Sequence, residues 1–390
     1  TLGQFPQDEF HFILVGLPYA FYHGVEHRRC TVLALGPATE IWTHLYRELL
    51  GVASHELFHA WNVKSFRPKG MESYRYEGWM YSDLGYVYEG FTTYYGDLFL
   101  VRSGCLLPDE YLEEVNAYLL RHSENYGRYN HGLRESSIDT WVDGYSQSQS
   151  APHRRVSIYA EGMLQALHLD LVIRSSTMNN ESPASLDDLI RYLWKRFEQS
   201  PETPGYTQET LTLWLQENVS VPSTYKNWGD YFRIHYEQPN SIEESLRSIL
   251  PQFGCRLTTT PNEDRIKHLL GLQMKWNQAE PRVEHCVPGS PAALAGLGPD
   301  DRWLSWEIQT DSSDQSPAVL NPSSDADFLR KALTPADSLR VRWITALGHE
   351  RQGVLRTHST LRYYHHHKIE LDLHAGPNEL RARKQWLGIA

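Results

Sequence analysis

Residues 55–59 of this chain read His-Glu-Leu-Phe-His, and the stretch around them carries helical spacing. Apolar residues recur at three- and four-residue intervals, at Ile41, Leu45, Leu49, Leu50, Ala53, Leu57, Ala60 and Trp61. Pro68 and Gly70 stop any continuation. Residues four apart on a helix lie one above the other on the same face. His55 and His59 can therefore both offer an imidazole nitrogen to one Zn²⁺, while Glu56 is directed at the water that such a site activates. Two imidazole ligands and a carboxylate base in this spacing point to zinc-peptidase chemistry.

A catalytic zinc site takes three protein ligands and keeps a fourth position open. Glu72, Glu77 and Glu89 all follow in the sequence, and spacing alone does not choose among them. Glu89 stands in Tyr86-Val87-Tyr88-Glu89-Gly90-Phe91-Thr92-Thr93-Tyr94-Tyr95, which reads as a second helix. An acid in so apolar and aromatic a run is costly to bury unless it is paired or bound to metal.

These segments resemble a known family. HELFHAWNVKSFRP followed by YEGFTTYYGDLFLVRSG is similar to the glycyl aminopeptidases, zinc metallopeptidases that carry a PDZ domain and are distant relatives of aminopeptidase N. The resemblance implies one Zn²⁺ per chain on His55, His59 and Glu89, with Glu56 as catalytic base. Tyr88 stands where relatives often have a small or polar residue. Tyr22-His23-Gly24-Val25-Glu26-His27 matches a G-G-L-E-H segment, in which an edge strand aligns the peptide by backbone hydrogen bonds. There the resemblance makes Glu26 the partner of the substrate's free α-ammonium. His23 replaces the first glycine, the residue expected where backbone approaches closely. Ser157-Ile158-Tyr159-Ala160-Glu161-Gly162 matches S-Y-Y-x-K-G. It implies that the Tyr159 hydroxyl donates to the reaction's oxyanion. Glu161 reverses the charge of the family's lysine, next to the implied site.

The fold implied is α+β: a thermolysin-like zinc peptidase domain with a helical subdomain, then a β-rich PDZ-like domain. Residues 1–103 hold the end of an N-terminal β region (a strand at 10–15), the zinc helix and the third-ligand helix; the family's N-terminal β domain is expected to be largely missing. Residues 104–250 read as mainly helical, with a capping box at Ser185-Leu186-Asp187-Asp188 and a helix from Thr207 to Asn218. The Ser-, Gly- and Asn-rich stretch 127–152 reads as loop. Residues 253–375 resemble a PDZ domain through Gly271-Leu272-Gln273-Met274 and a G-S-P-A-x-x-A-G-L pattern at 289–297, although Pro299-Asp300-Asp301 lacks the glycine that usually follows. Such a domain captures a peptide C-terminus by strand addition, with Leu270, Gly271 and Leu272 at the carboxylate loop. Residues 310–327 read as a loop insertion, and 376–390 as a C-terminal tail.

With 390 residues, 41% hydrophobic and 12% aromatic, the chain can build more than one packed domain. A formal net charge of −11 gives no electrostatic footprint for nucleic acid or an anionic membrane. No apolar run approaches the ~20 residues of a membrane helix. Cys30, Cys105, Cys255 and Cys286 have no C-x-x-C spacing and read as reduced core thiols. His365-His366-His367 reads as a solvated patch. The expected activity is zinc-dependent removal of small N-terminal residues, glycine or alanine, from peptides, in the cytoplasm or periplasm. The alternatives are a zinc endopeptidase supplied by the PDZ domain and an inactive peptide-binding module; Glu26 separates the first of these from an aminopeptidase.

Overall fold

The computed structural model of the chain describes residues 2–71, 77–143, 154–200, 205–276, 280–309, 326–335, 337–358 and 360–389. The chain opens with three strands, β1 (His11–Gly16), β2 (Phe21–Glu26) and β3 (Cys30–Gly36). They form one sheet in the order β1-β3-β2, with β1 parallel and β2 antiparallel to β3. The alternation of β3 turns Thr31, Leu33 and Leu35 inward. Leu33 and Leu35 pack with Ile41, Leu49 and Val52. That contact seats the sheet on α1 (Tyr46–Phe58), which carries the H-E-x-x-H residues up to Phe58. The helix starts later than the apolar spacing from Ile41 suggests, because residues 41–45 form turns whose Ile41 is nevertheless buried.

Tyr86–Phe91 form a π-helical turn that runs straight into α2 (Thr92–Arg102). The helical part continues with α3 (Pro108–Glu124), α4 (Leu133–Asp143), α5 (Ala160–Thr177), α6 (Leu186–Gln199), α7 (Gln208–Asn218), α8 (Trp228–Phe232) and α9 (Glu243–Ile249). Helix α5 is buried on almost every side, as a central helix with apolar residues all round must be. The capping box forms at Ser185, and Thr207 caps α7 by accepting from the Thr210 amide. Helix α4 corrects the reading of 127–152 as loop, whose residues 144–152 lie outside the described ones. Its buried polar residues conceal the helix in the sequence. Ser137 Oγ donates back to the Leu133 carbonyl (2.7 Å) and accepts from the Tyr86 amide (3.2 Å), so both of its hydrogen-bonding roles are met inside the protein.

The β-rich part holds β4 (Cys255–Thr260), α10 (Arg265–Leu270), β5 (Leu272–Lys275), β6 (Arg282–Cys286), α11 (Pro291–Leu294), β7 (Arg302–Gln309), α12 (Ala326–Ala332), β8 (Ser338–Ile344), β9 (Glu350–Arg356) and β10 (His366–Leu371). Strands β5 to β9 make a five-stranded sheet in sequence order around a second core that includes Trp303, Trp306 and Trp343. Strands β4 and β10 pair with each other instead, and Cys255, Leu257 and Ile369 join the helical core. The side-chain amide of Asn116 on α3 clasps Ile369, donating to its carbonyl (3.0 Å) and accepting from its amide (2.7 Å).

Residues 377–387, within the stretch read as a tail, form α13 (Pro377–Leu387), which returns to the helical core. There the buried Trp386 indole donates to the Tyr94 hydroxyl (2.9 Å) and its carbonyl accepts from Arg102 (2.9 Å). All four cysteines are free; Cys255 and Cys286 are buried, whereas Cys105 is exposed rather than a core thiol. No described helix is long and apolar enough to cross a membrane.

Candidate metal centre

The centre is made where α1 and α2 cross. Gly96 allows it: a Cβ there would stand 3.2 Å from the backbone of His55, and the Ser54 hydroxyl locks the contact by donating to the Gly96 carbonyl (2.7 Å). Along α2 from that crossing, the π-turn adds a residue to the helical turn and presents Glu89 to the two imidazoles. His55, His59 and Glu89 are the group of potential metal ligands found among the described residues, with all donor atoms within 4.8 Å of one another. Nε2 of His55 and Nε2 of His59 are 3.1 Å apart, and each lies 3.4–3.5 Å from Oε2 of Glu89.

The environment asks for a cation at that point. Nδ1 of His59 faces the Asn62 carbonyl at 2.8 Å, and a carbonyl can only accept, so Nδ1 carries the hydrogen and Nε2 keeps its lone pair. The Thr93 hydroxyl donates to the Glu89 carbonyl (2.9 Å), and its oxygen faces Nδ1 of His55 at 3.5 Å. Two lone pairs and a carboxylate oxygen are thus aimed together, and Glu89 Oε2 is buried with no hydrogen-bond partner. Burial pushes the Glu89 carboxyl up, but His59 and His55 outweigh it and hold it down at about 2. Burial likewise pulls His59 down, and Glu89 reverses this to raise it to about 9. Without a metal, a proton would take up the Nε2 lone pair of His59; a metal ion on the same three atoms would replace that proton. The donor set, two imidazoles and one carboxylate, fits a divalent transition metal.

Glu56 lies on α1 beside these ligands, 5% exposed, with Oε2 unpartnered. Burial raises its carboxyl to about 7, against the opposing pull of His59. The carboxylate rests on Gly24 of β2: a Cβ at that residue would meet Glu56 Oε1 at 2.2 Å. The close approach expected in this segment therefore falls at Gly24, which the chain keeps, and His23 points to the other side of the strand. Glu26, two residues on, shares the face of Gly24, and its Oε1 lies 3.2 Å from Lys64 Nζ.

Tyr159 is brought in by a second close crossing, at Gly90 and Gly162. A Cβ on Gly90 would lie 2.5 Å from the Gly162 Cα, so the π-turn and α5 meet backbone to backbone. Tyr159, just before α5, stands with its ring 6.2 Å from that of His55. Tyr88, where relatives often differ, packs with Val63 and Met71. Glu77 is exposed, while Glu72 lies outside the described residues.

Glu161 turns away from the centre. Its Oε2 is 2.5 Å from Nδ1 of the fully buried His122, whose Nε2 lies 3.2 Å from Glu243; Arg128 and His367 face the same Glu243 oxygen at 3.6 and 3.5 Å. Burial opposes charge on His122, yet Glu161 and Glu243 raise it to about 9. The charge reversal is thus answered by a buried histidine, and His367 belongs to this network rather than to a solvated patch. Leu270, Gly271 and Leu272 lie in the β-rich unit. Gly271 ends α10 in a left-handed conformation (φ 62°), its amide donating to the Lys267 carbonyl (3.1 Å) and its carbonyl accepting from Val287 (2.8 Å).

The sequence reading gave no role to Asn62, Thr93, Lys64, Gly96 or Gly24. Asn62 and Lys64 lie in HELFHAWNVKSFRP and Thr93 and Gly96 in YEGFTTYYGDLFLVRSG, so contiguity with the candidate ligands was the available signal.

Two outcomes are expected. Glu89→Gln should lose stoichiometric metal in a binding titration while Glu77→Gln retains it; equal retention would remove Glu89 from the ligand set. Glu161→Lys places a cation against His122 and Arg128, and breaking a buried pair costs about 3–5 kcal/mol. The His122 contribution is fully present below its ordinary pKa of about 6.5 and fades as pH rises through about 9, so the deficit in denaturant unfolding should narrow above that pH. Unchanged stability with a raised turnover would contradict this placement.

Residues 48–165 match the profile of the M61 glycyl aminopeptidase family. None of the curated proteins matches the chain. The fold is similar to that of an aminopeptidase N family protein from Idiomarina loihiensis, with a TM-score of 0.80 at 23% identity. The similarity covers 98% of this chain and 62% of that protein, so the chain spans less than two thirds of its relative's length. The family match includes His55, Glu56, His59, Glu89 and Tyr159, and it bears out the resemblance of this chain to the glycyl aminopeptidases.

Proposed function

We propose that this chain is a zinc-dependent aminopeptidase that removes small N-terminal residues, glycine or alanine, from peptides. The observation that carries the reading is the triangle of donor atoms. Zinc bonds of about 2.05 Å in tetrahedral geometry put ligand atoms about 3.3 Å apart. The three separations here are 3.1, 3.4 and 3.5 Å. Zn²⁺ held by His55, His59 and Glu89 would polarise the scissile carbonyl and make water acidic enough to deprotonate near neutral pH.

The remaining chemistry belongs to the chain. Glu56, with a carboxyl near 7 before any metal opposes that rise, takes a proton from the attacking water and delivers it to the leaving amine. Tyr159 donates its hydroxyl to the developing oxyanion. The unpaired edge of β2 aligns the peptide, and Glu26 at its end pairs with the free α-ammonium. Glu26 on the same strand face as Gly24 favours this over an endopeptidase, which needs no charge at that position. The β-rich unit would take a peptide C-terminus along the edge of β5, beside Leu270, Gly271 and Leu272.

Glu56→Gln should retain metal and lower kcat by about 10²–10⁴-fold. Tyr159→Phe should lower kcat and kcat/KM together by about 10²–10³-fold, because its contact forms in the transition state. Both are read by steady-state hydrolysis of alanine p-nitroanilide. A Tyr159→Phe variant with raised KM and unchanged kcat would make the tyrosine a binding residue only.

A further inference from the structure

The carboxylate of Glu26 is already engaged by a cation of the chain. Lys64 Nζ lies 3.2 Å from its Oε1, and the Lys64 side chain is 12% exposed against 32% for Glu26. The lysine is thus the more deeply set partner. Its backbone is tied to the ligand helix, since the Lys64 amide donates to the His59 carbonyl (2.9 Å) and its own carbonyl accepts from Arg67 (3.0 Å). One ion pair therefore connects the edge strand β2 to the end of the helix that carries both imidazoles.

Glu56 and Glu89 bring two more carboxylates to this corner. Like charges repel, and the most exposed of the three, Glu26, is the one free to swing into water. A lysine fixed behind it opposes that movement and leaves Oε2 available to an incoming group. We propose that Lys64 is a positioning residue of the N-terminal subsite: it holds Glu26 in the orientation that receives a substrate's α-ammonium, and so sets the preference for free over acylated N-termini. This deepens the aminopeptidase reading and rests on it. Removing Lys64 would also remove a repulsive charge from the subsite. Orientation dominates, because Glu56 and Glu89 already supply negative potential there and only a fixed Glu26 oxygen supplies the directed hydrogen bond.

The test uses the zinc-loaded chain with alanine p-nitroanilide and its N-acetyl counterpart, together with calorimetric binding of glycinamide. Lys64→Met should raise KM for the free amine and weaken glycinamide by about ten-fold or more, the scale of a hydrogen bond to a charged group. Its kcat, metal content and melting temperature should stay near those of the parent. Lys64→Arg should restore most of the affinity, and carries the comparison with Lys64→Gln if the methionine variant fails to fold. An unchanged or lowered KM in Lys64→Met or Lys64→Gln, or equal losses in the arginine variant, would overturn the proposal. So would a fall in kcat and metal content with KM unmoved. A parent chain that shows no preference for the free amine, and is indifferent to Glu26→Gln, would instead overturn the aminopeptidase reading and the role of Lys64 with it.

Discussion

The convergence of two imidazole nitrogens and one carboxylate oxygen on a single point is the constraint around which this molecule is arranged. In an apolar interior that geometry is unfavourable by itself, because lone pairs and negative charge face each other with little water to screen them. A cation relieves it. The scaffold that enforces it is built from close approaches: Gly96 lets α2 meet the backbone of His55, and Gly90 against Gly162 lets α5 reach the π-turn. Each contact is one that a Cβ would disturb, so the positions of Glu89 and Tyr159 depend on glycines one or a few residues away.

The same logic extends outward in hydrogen bonds. Asn62 fixes His59 through its carbonyl, while its side chain donates to the Val87 carbonyl (3.0 Å) and accepts from the Tyr206 hydroxyl (2.9 Å). The loop after α1 is thereby attached to the π-turn and to a later segment. On the far side of α2, Tyr94 donates to Asp170 of α5 (2.6 Å) and accepts from Trp386 of α13, which ties the C-terminal helix into the helical core. The β-rich unit has its own core, and the pair β4–β10 links it to α3.

Much of the centre was legible in the sequence because helical periodicity is a local rule: His55 and His59 four apart need one face and nothing more. Glu89 was separable from Glu72 and Glu77 only by resemblance, since the π-turn that presents it leaves no periodic signature. Helix α4 was hidden because its inward residues include serines satisfied by backbone carbonyl and amide groups, where pattern reading expects apolar side chains. Glu161 looked like a disturbance of the site because nearness to Tyr159 in the sequence says nothing of direction; two residues on, at the start of α5, its side chain turns toward His122. The role of α13 depended on a contact between residues 94 and 386, which no local pattern encodes.

X-ray absorption at the zinc edge of the purified, metal-titrated chain would read directly whether His55, His59 and Glu89 hold one zinc ion. The donor set of His55, His59 and Glu89 calls for one zinc per chain, with two imidazole nitrogens at about 2.0–2.1 Å, oxygen in the remaining positions and no sulfur. Sulfur in the coordination sphere, fewer than two imidazoles, or no stoichiometric binding would contradict it.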